Sequence, residues 1–242
     1  MERLTLNEKL KILLQDYLQS LKEIYPEELV SLVLYGSGAS GEFVSEHSNV
    51  NLLAILKNTE PETLEKCLKL VNKNRFSQLE TVFFTEDFMR SSSDVFPIEF
   101  LDMKENYLVL FGPDLLSNLQ VEQKNLRFQC EHELKVKLIN LKRAFVFISR
   151  NNAALQNLLF KTFVSTVHVA RNLLRLKGSQ PAYLKAEIIK QLTPEFKING
   201  KSWEMILSAK NKQIKLSPVQ TKALFIDFTK DLEKLTAAVD TL

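Results

Sequence analysis

Apolar positions in the first half of the chain fall in short continuous runs; in the second half they recur every three or four residues. The exception in the first half is its start. Leu6, Leu10, Leu13, Leu14, Tyr17, Leu18 and Leu21 have helical spacing, with Asn7 as a candidate cap and Pro26 as the stop. Leu29 to Tyr35 then reads as a buried strand, and Gly36 to Gly41 as a turn that opens a short helix. Val50 to Lys57 is apolar on both faces, which predicts a central strand in a sheet covered on both sides. One amphipathic helix is predicted over Pro61 to Val71, with proline at its first turn. Three more strands are predicted, at Thr81 to Thr85, Phe96 to Met103 and Tyr107 to Phe111, before Gly112-Pro113-Asp114 breaks the pattern.

After Gln120 the period changes. Leu134, Leu138, Leu141, Phe145 and Ile148 are spaced 4, 3, 4, 3, the seam of a bundle helix. Asn152 to Lys177 is apolar nearly all round, as a central bundle helix would be. Shorter helices are predicted at about 182–192 and 201–210, and a long one from Ser217, with Ser217 as cap and Pro218 at the first helical position. The expected fold class is α+β: a mixed-sheet domain over 1–118, then an all-α helical bundle over 119–242.

Charge sharpens that division. Residues 1–118 hold 11 Lys and Arg against 19 Asp and Glu, a balance of −8; residues 119–242 hold 21 against 10, a balance of +11. The two halves either complement one another or share an anionic ligand. The N-terminus has no long apolar core, so no secretory leader is expected, and no uncharged apolar run reaches the roughly 18 residues of a membrane span. Cys67 and Cys130 lie far apart without metal-ligand spacing, as reduced thiols of a cytoplasmic protein would. Little aromatic interleaving accompanies the lysines of 185–234, which argues against nucleic acid.

Candidate chemistry centres on one stretch. Gly36-Ser37 follows an apolar strand, and Asn49 and Asn51 stand at i and i+2 at the head of the next. Alternate residues of a strand share a face, so these two amides lie side by side. Polar groups at the start of an apolar strand are costly unless something uses them. Gly36 lets a backbone approach a phosphate closely, and Ser37 with the N–H groups that follow can hold its oxygens.

Leu34-Tyr35-Gly36-Ser37, the turn after it, and the Asn49-Val50-Asn51 triplet resemble the nucleotidyltransferase superfamily, which includes the DNA polymerase beta type and the kanamycin nucleotidyltransferases. The resemblance implies a carboxylate at each amide position and a third on a later strand, where Glu99 falls in Pro97-Ile98-Glu99-Phe100-Leu101. Three such carboxylates hold two Mg²⁺ ions about 3.5–4 Å apart. Asn49 and Asn51 are neutral, so two of the three charges of the implied metal set are absent. Mg²⁺ is therefore disfavoured as a cofactor. The expected function is a catalytically degenerate nucleotidyltransferase that binds a nucleotide, another anionic ligand or a protein partner. The alternatives are an active Mg²⁺-dependent enzyme that moves a nucleotidyl group to a small-molecule or protein hydroxyl, and a partner-binding or homodimeric module; relatives of this fold pair with separate helical proteins.

Several single residues carry further readings. In kanamycin-type relatives a carboxylate on the first bundle helix is the general base, a place Glu131 could fill; Arg127 at i−4 favours a paired rim carboxylate instead. Arg171 and Arg175, one turn apart on an apolar helix, need partners: a bound phosphate or the acidic first domain. His47 beside the triplet reads as a loop residue, and His132 shares a line with Val136, Ile139 and Arg143.

Overall fold

A computed structural model describes residues 8–40 and 50–242. The chain divides into two compact units, Met1–Val121 and Glu122–Leu242.

The first unit is built on a four-stranded sheet of β1 (Leu29–Tyr35), β2 (Val50–Leu56), β3 (Leu79–Phe84) and β4 (Tyr107–Phe111), in the order β3-β2-β1-β4. β1 pairs antiparallel with β2 and with β4, and β2 pairs parallel with β3. As expected for a strand that is apolar on both sides, β2 is internal; its only residue that is not fully buried is Asn51. One face of the sheet packs Leu32, Leu34, Leu52 and Ala54 against Leu10, Leu14, Tyr17 and Leu21 of α1 (Glu8–Ile24). Tyr17 is fully buried and its hydroxyl meets the Thr81 hydroxyl at 2.8 Å. The other face packs Val33, Leu53 and Ile55 against Met89, Phe100 and Met103.

Those last three residues belong to helices, and this corrects the sequence reading. Phe96 to Met103 is not a strand: Pro97–Glu105 is a helix. Proline is preorganised for the first helical position, and the acidic Glu99 suits the first turn. A second helix, Glu86–Ser92, was not expected; the Thr85 hydroxyl caps it by accepting from the Phe88 N–H at 3.1 Å. The single helix expected over Pro61 to Val71 is two short ones, Pro61–Glu65 and Leu68–Val71, with the chain turning at Lys66–Cys67. In chain order these are α3 (Pro61–Glu65), α4 (Leu68–Val71), α5 (Glu86–Ser92) and α6 (Pro97–Glu105), α2 being the four residues Ser37–Ser40. Gly112, at φ +78°, ends β4: a Cβ there would stand 2.0 Å from the Val30 carbonyl oxygen, so only glycine fits.

The second unit is helical throughout: α7 (Gln123–Ile148), α8 (Asn152–Leu176), α9 (Lys185–Phe196), α10 (Gly200–Lys210) and α11 (Pro218–Val239). The apolar helix α8 is the most buried of them, and its Phe163 meets Trp203 of α10 and Phe228 of α11 at ring-centroid distances of 5.5 and 6.0 Å. Ser217 and Gln220 form the capping box that opens α11. No helix among the described residues is long and apolar enough to cross a membrane.

Candidate functional site

The sheet register brings four residues into one row. Glu80 of β3 pairs with Asn51 of β2, Asn51 with Tyr35 of β1, and Tyr35 with Tyr107 of β4. Directly paired residues point to the same face. Burial raises the Tyr35 hydroxyl above its usual pKa, and the nearby Glu80 carboxylate raises it further. Glu80 is exposed and Asn51 half-buried, so this end of the row opens to solvent. At the other end, Tyr107 donates to Asp114 at 2.9 Å; burial first, then that carboxylate, pushes its hydroxyl up to about 12.

Gly36 closes the site from below. Its φ is +74°, and a Cβ added there would stand 3.3 Å from the Asn51 amide nitrogen. Its N–H donates to the Asn106 carbonyl at 3.0 Å, and its carbonyl accepts from the Ala39 N–H at 3.0 Å. The turn is thus pinned to the residue before β4 on one side and to α2 on the other. Glycine adopts this left-handed conformation without strain, and its lack of a Cβ leaves room for the Asn51 amide beside it.

The residues singled out in the sequence separate into two groups. Gly36 and Asn51 come together; Asn49, His47 and the side chain of Ser37 lie outside the described residues. Glu99 is exposed on the first turn of α6 rather than on a strand, because Pro97 starts a helix there. The carboxylate that the sheet sets beside Asn51 is Glu80, which sequence reasoning missed by starting β3 at Thr81. Its one local signal is a charge flanked by Leu79 and the apolar run Val82-Phe83-Phe84.

Glu131, Arg171 and Arg175 belong to the second unit, and their partners there are protein groups. Glu131 accepts from Arg127 at 3.1 Å and from Lys135, and the Lys135 ammonium holds its carboxyl below the usual range. The buried Arg171 donates from Nε to the Ala182 carbonyl at 3.0 Å and lies over the Tyr183 ring, 4.4 Å from its centroid. Arg175 donates to the Asn172 side-chain oxygen. Neutral oxygens and an aromatic face are thus among the partners of these two guanidinium groups. Among the described residues no three His, Cys, Asp or Glu side chains cluster as metal ligands would.

A mixed sheet of this order followed by a helical array is the nucleotidyltransferase fold, and the chain has that fold. Among solved structures it is similar to the spectinomycin adenyltransferase AAD(9) from Enterococcus faecialis, determined with ATP and spectinomycin, with a TM-score of 0.54 at 11% identity over 93% of this chain and 97% of that one. No protein-family profile matches the chain, and no curated protein matches it in sequence.

Proposed function

We propose that the first unit binds a nucleoside triphosphate at the Gly36 turn, the end of β1 and the heads of β2 and β3, without the two-metal frame that nucleotidyl transfer requires. The pairing of Asn51 with Glu80 carries this reading. A carboxylate next to an amide, above a left-handed glycine, has the layout of a metal-dependent phosphate site with charge removed. Mg²⁺ dehydrates reluctantly and relies on anionic oxygens. Glu80 supplies one carboxylate, Asn51 supplies an amide, and Asn49 is an amide by sequence. That set does not fit two Mg²⁺ ions. The likeness to a fold determined with ATP supports a nucleotide as the ligand.

Calorimetric titration with ATP and GTP tests this. Binding is expected in EDTA and is expected to change little when Mg²⁺ is added. Asn49→Asp with Asn51→Asp is expected to create Mg²⁺ binding, which a further Glu80→Gln removes and Glu99→Gln leaves in place. Failure of every nucleotide to bind overturns the proposal, as does Mg²⁺-dependent release of pyrophosphate from ATP by the unaltered protein.

A further inference from the structure

Helix α7 has two apolar faces. Leu126, Cys130, Leu134 and Leu141 are buried within the second unit. On the opposite side, Phe128, Val136, Ile139, Val146 and Phe147 are between 40% and 81% exposed. Isolated apolar side chains on a surface are ordinary; a row of five along one helix marks an interaction site.

Four of these five, with His132 and Arg143 between them, have a symmetry that points to the occupant; Val146 falls opposite Gln129 and lies outside it. Phe128, His132, Val136, Ile139, Arg143 and Phe147 are spaced 4, 4, 3, 4, 4, the same in either direction. About the point between Lys137 and Leu138, Phe128 exchanges with Phe147, His132 with Arg143, and Val136 with Ile139. A two-fold axis through that point matches the stripe to its own copy, as an isologous interface demands. A stripe selected by an unrelated partner has no need to read alike in both directions. We propose that α7 pairs antiparallel with α7 of a second copy, making the protein a homodimer.

Charge and size agree with this occupant. The flanking lysines would otherwise repel across the two-fold, but each has an acid within its own chain. Lys124 meets Glu122 at 3.2 Å, Lys135 meets Glu131 and Asp240, Lys137 meets Glu133, and Lys142 meets Glu233 at 2.6 Å. The two remaining polar layers set the His132 imidazole against the Arg143 guanidinium, and a neutral imidazole nitrogen can accept from it. The five apolar side chains offer on the order of 500 Å² per copy. Two copies then bury about 1,000 Å² before the flanks are counted, the lower bound for a specific interface. Dissociation in the micromolar range is therefore expected.

Sedimentation equilibrium of the full chain across concentrations provides the test. The unaltered protein is expected to pass from monomer to dimer over micromolar concentrations. Ile139→Arg, at an exposed site beside the two-fold, is expected to raise the dissociation constant at least 100-fold with unchanged circular dichroism. Register is read by oxidative cross-linking. His132→Cys mixed with Arg143→Cys is expected to form a disulfide dimer, because the two stand in one layer. Either variant alone is not, since like residues stand roughly 16 Å apart along the axis, beyond disulfide reach. A monomer at every concentration, a dimer indifferent to Ile139→Arg, or cross-linking of one variant with itself overturns the proposal.

Discussion

Asp231 in the second unit and the Asn51–Glu80 pair in the first are polar groups set against apolar layers, and they are treated in opposite ways. Asp231 is buried beside Trp203 and fully engaged: its carboxylate accepts from the Asn199 N–H at 2.7 Å, the Trp203 indole N–H at 3.1 Å and Lys234 at 2.8 Å. It ties α11 to the start of α10. Asn51 and Glu80 stand instead at the open heads of β2 and β3, where water reaches them. A polar group that the fold consumes is surrounded by donors; on the reading proposed above, one that serves a ligand sits where the apolar layer ends and carries no helix junction.

The largest effect expected from this contrast is on stability. Asp231→Ala leaves the buried indole N–H and the part-buried Asn199 N–H without their acceptor and removes the anion beside Lys234. A cost of about 3–5 kcal/mol is expected, read from urea unfolding of the second unit's helical signal. Asp231→Asn keeps an acceptor for the indole and should recover part of it. If Asp231→Ala costs no more than an exposed substitution, the division between consumed and presented polar groups fails.

Asn51→Ala is the counterpart and should cost below about 1 kcal/mol, because the side chain is half-exposed and water replaces what it loses. The same variant should weaken nucleotide binding, since the amide stands over Gly36. A loss of several kcal/mol with binding unchanged would make Asn51 a structural residue like Asp231.

The second unit was the more legible of the two in the sequence, and the reason is physical. Its helices are long, so the 3.6-residue period repeats often enough to be unambiguous, and Ser217-Pro218 marks one start with a cap and a proline at once. The first unit is made of short elements. In Pro97 to Met103 the apolar residues follow so closely that strand and helix patterns both fit, and only Pro97 distinguishes them. Thr85 reads equally as a strand end or a helix cap. Of the candidate site, Gly36 and Asn51 were visible because the turn and the strand head are contiguous in sequence. Glu80 was not, because its place beside Asn51 depends on a parallel register that no local pattern encodes. In α7 the seam of Leu134 and Leu141 was legible as the core face, and the line through Val136 and Ile139 was visible beside it, but spacing alone does not say that this second apolar line stays exposed.

Glu131 lies between the two cases and sharpens the comparison with the smallest effect. It is partly buried, yet both its charged partners, Arg127 and Lys135, are on its own helix one turn away. The Lys135 hydrogen bond, more than the Arg127 charge, lowers its carboxyl pKa. A carboxylate whose folded pKa is depressed contributes stability that is present above the unfolded value, about 4.3, and lost as pH falls through the folded one. Glu131→Gln should therefore be slightly less stable than the unaltered protein at neutral pH. The two should converge in acid, once the carboxylate is protonated in both folded and unfolded chains. Paired unfolding curves at neutral and acid pH read this difference directly. A gap that persists unchanged into acid would mean that the side chain acts through packing rather than through its charge. A carboxyl held low and ion-paired on both sides is also poorly suited to take a proton from an acceptor hydroxyl, so the same measurement weighs against Glu131 as a general base.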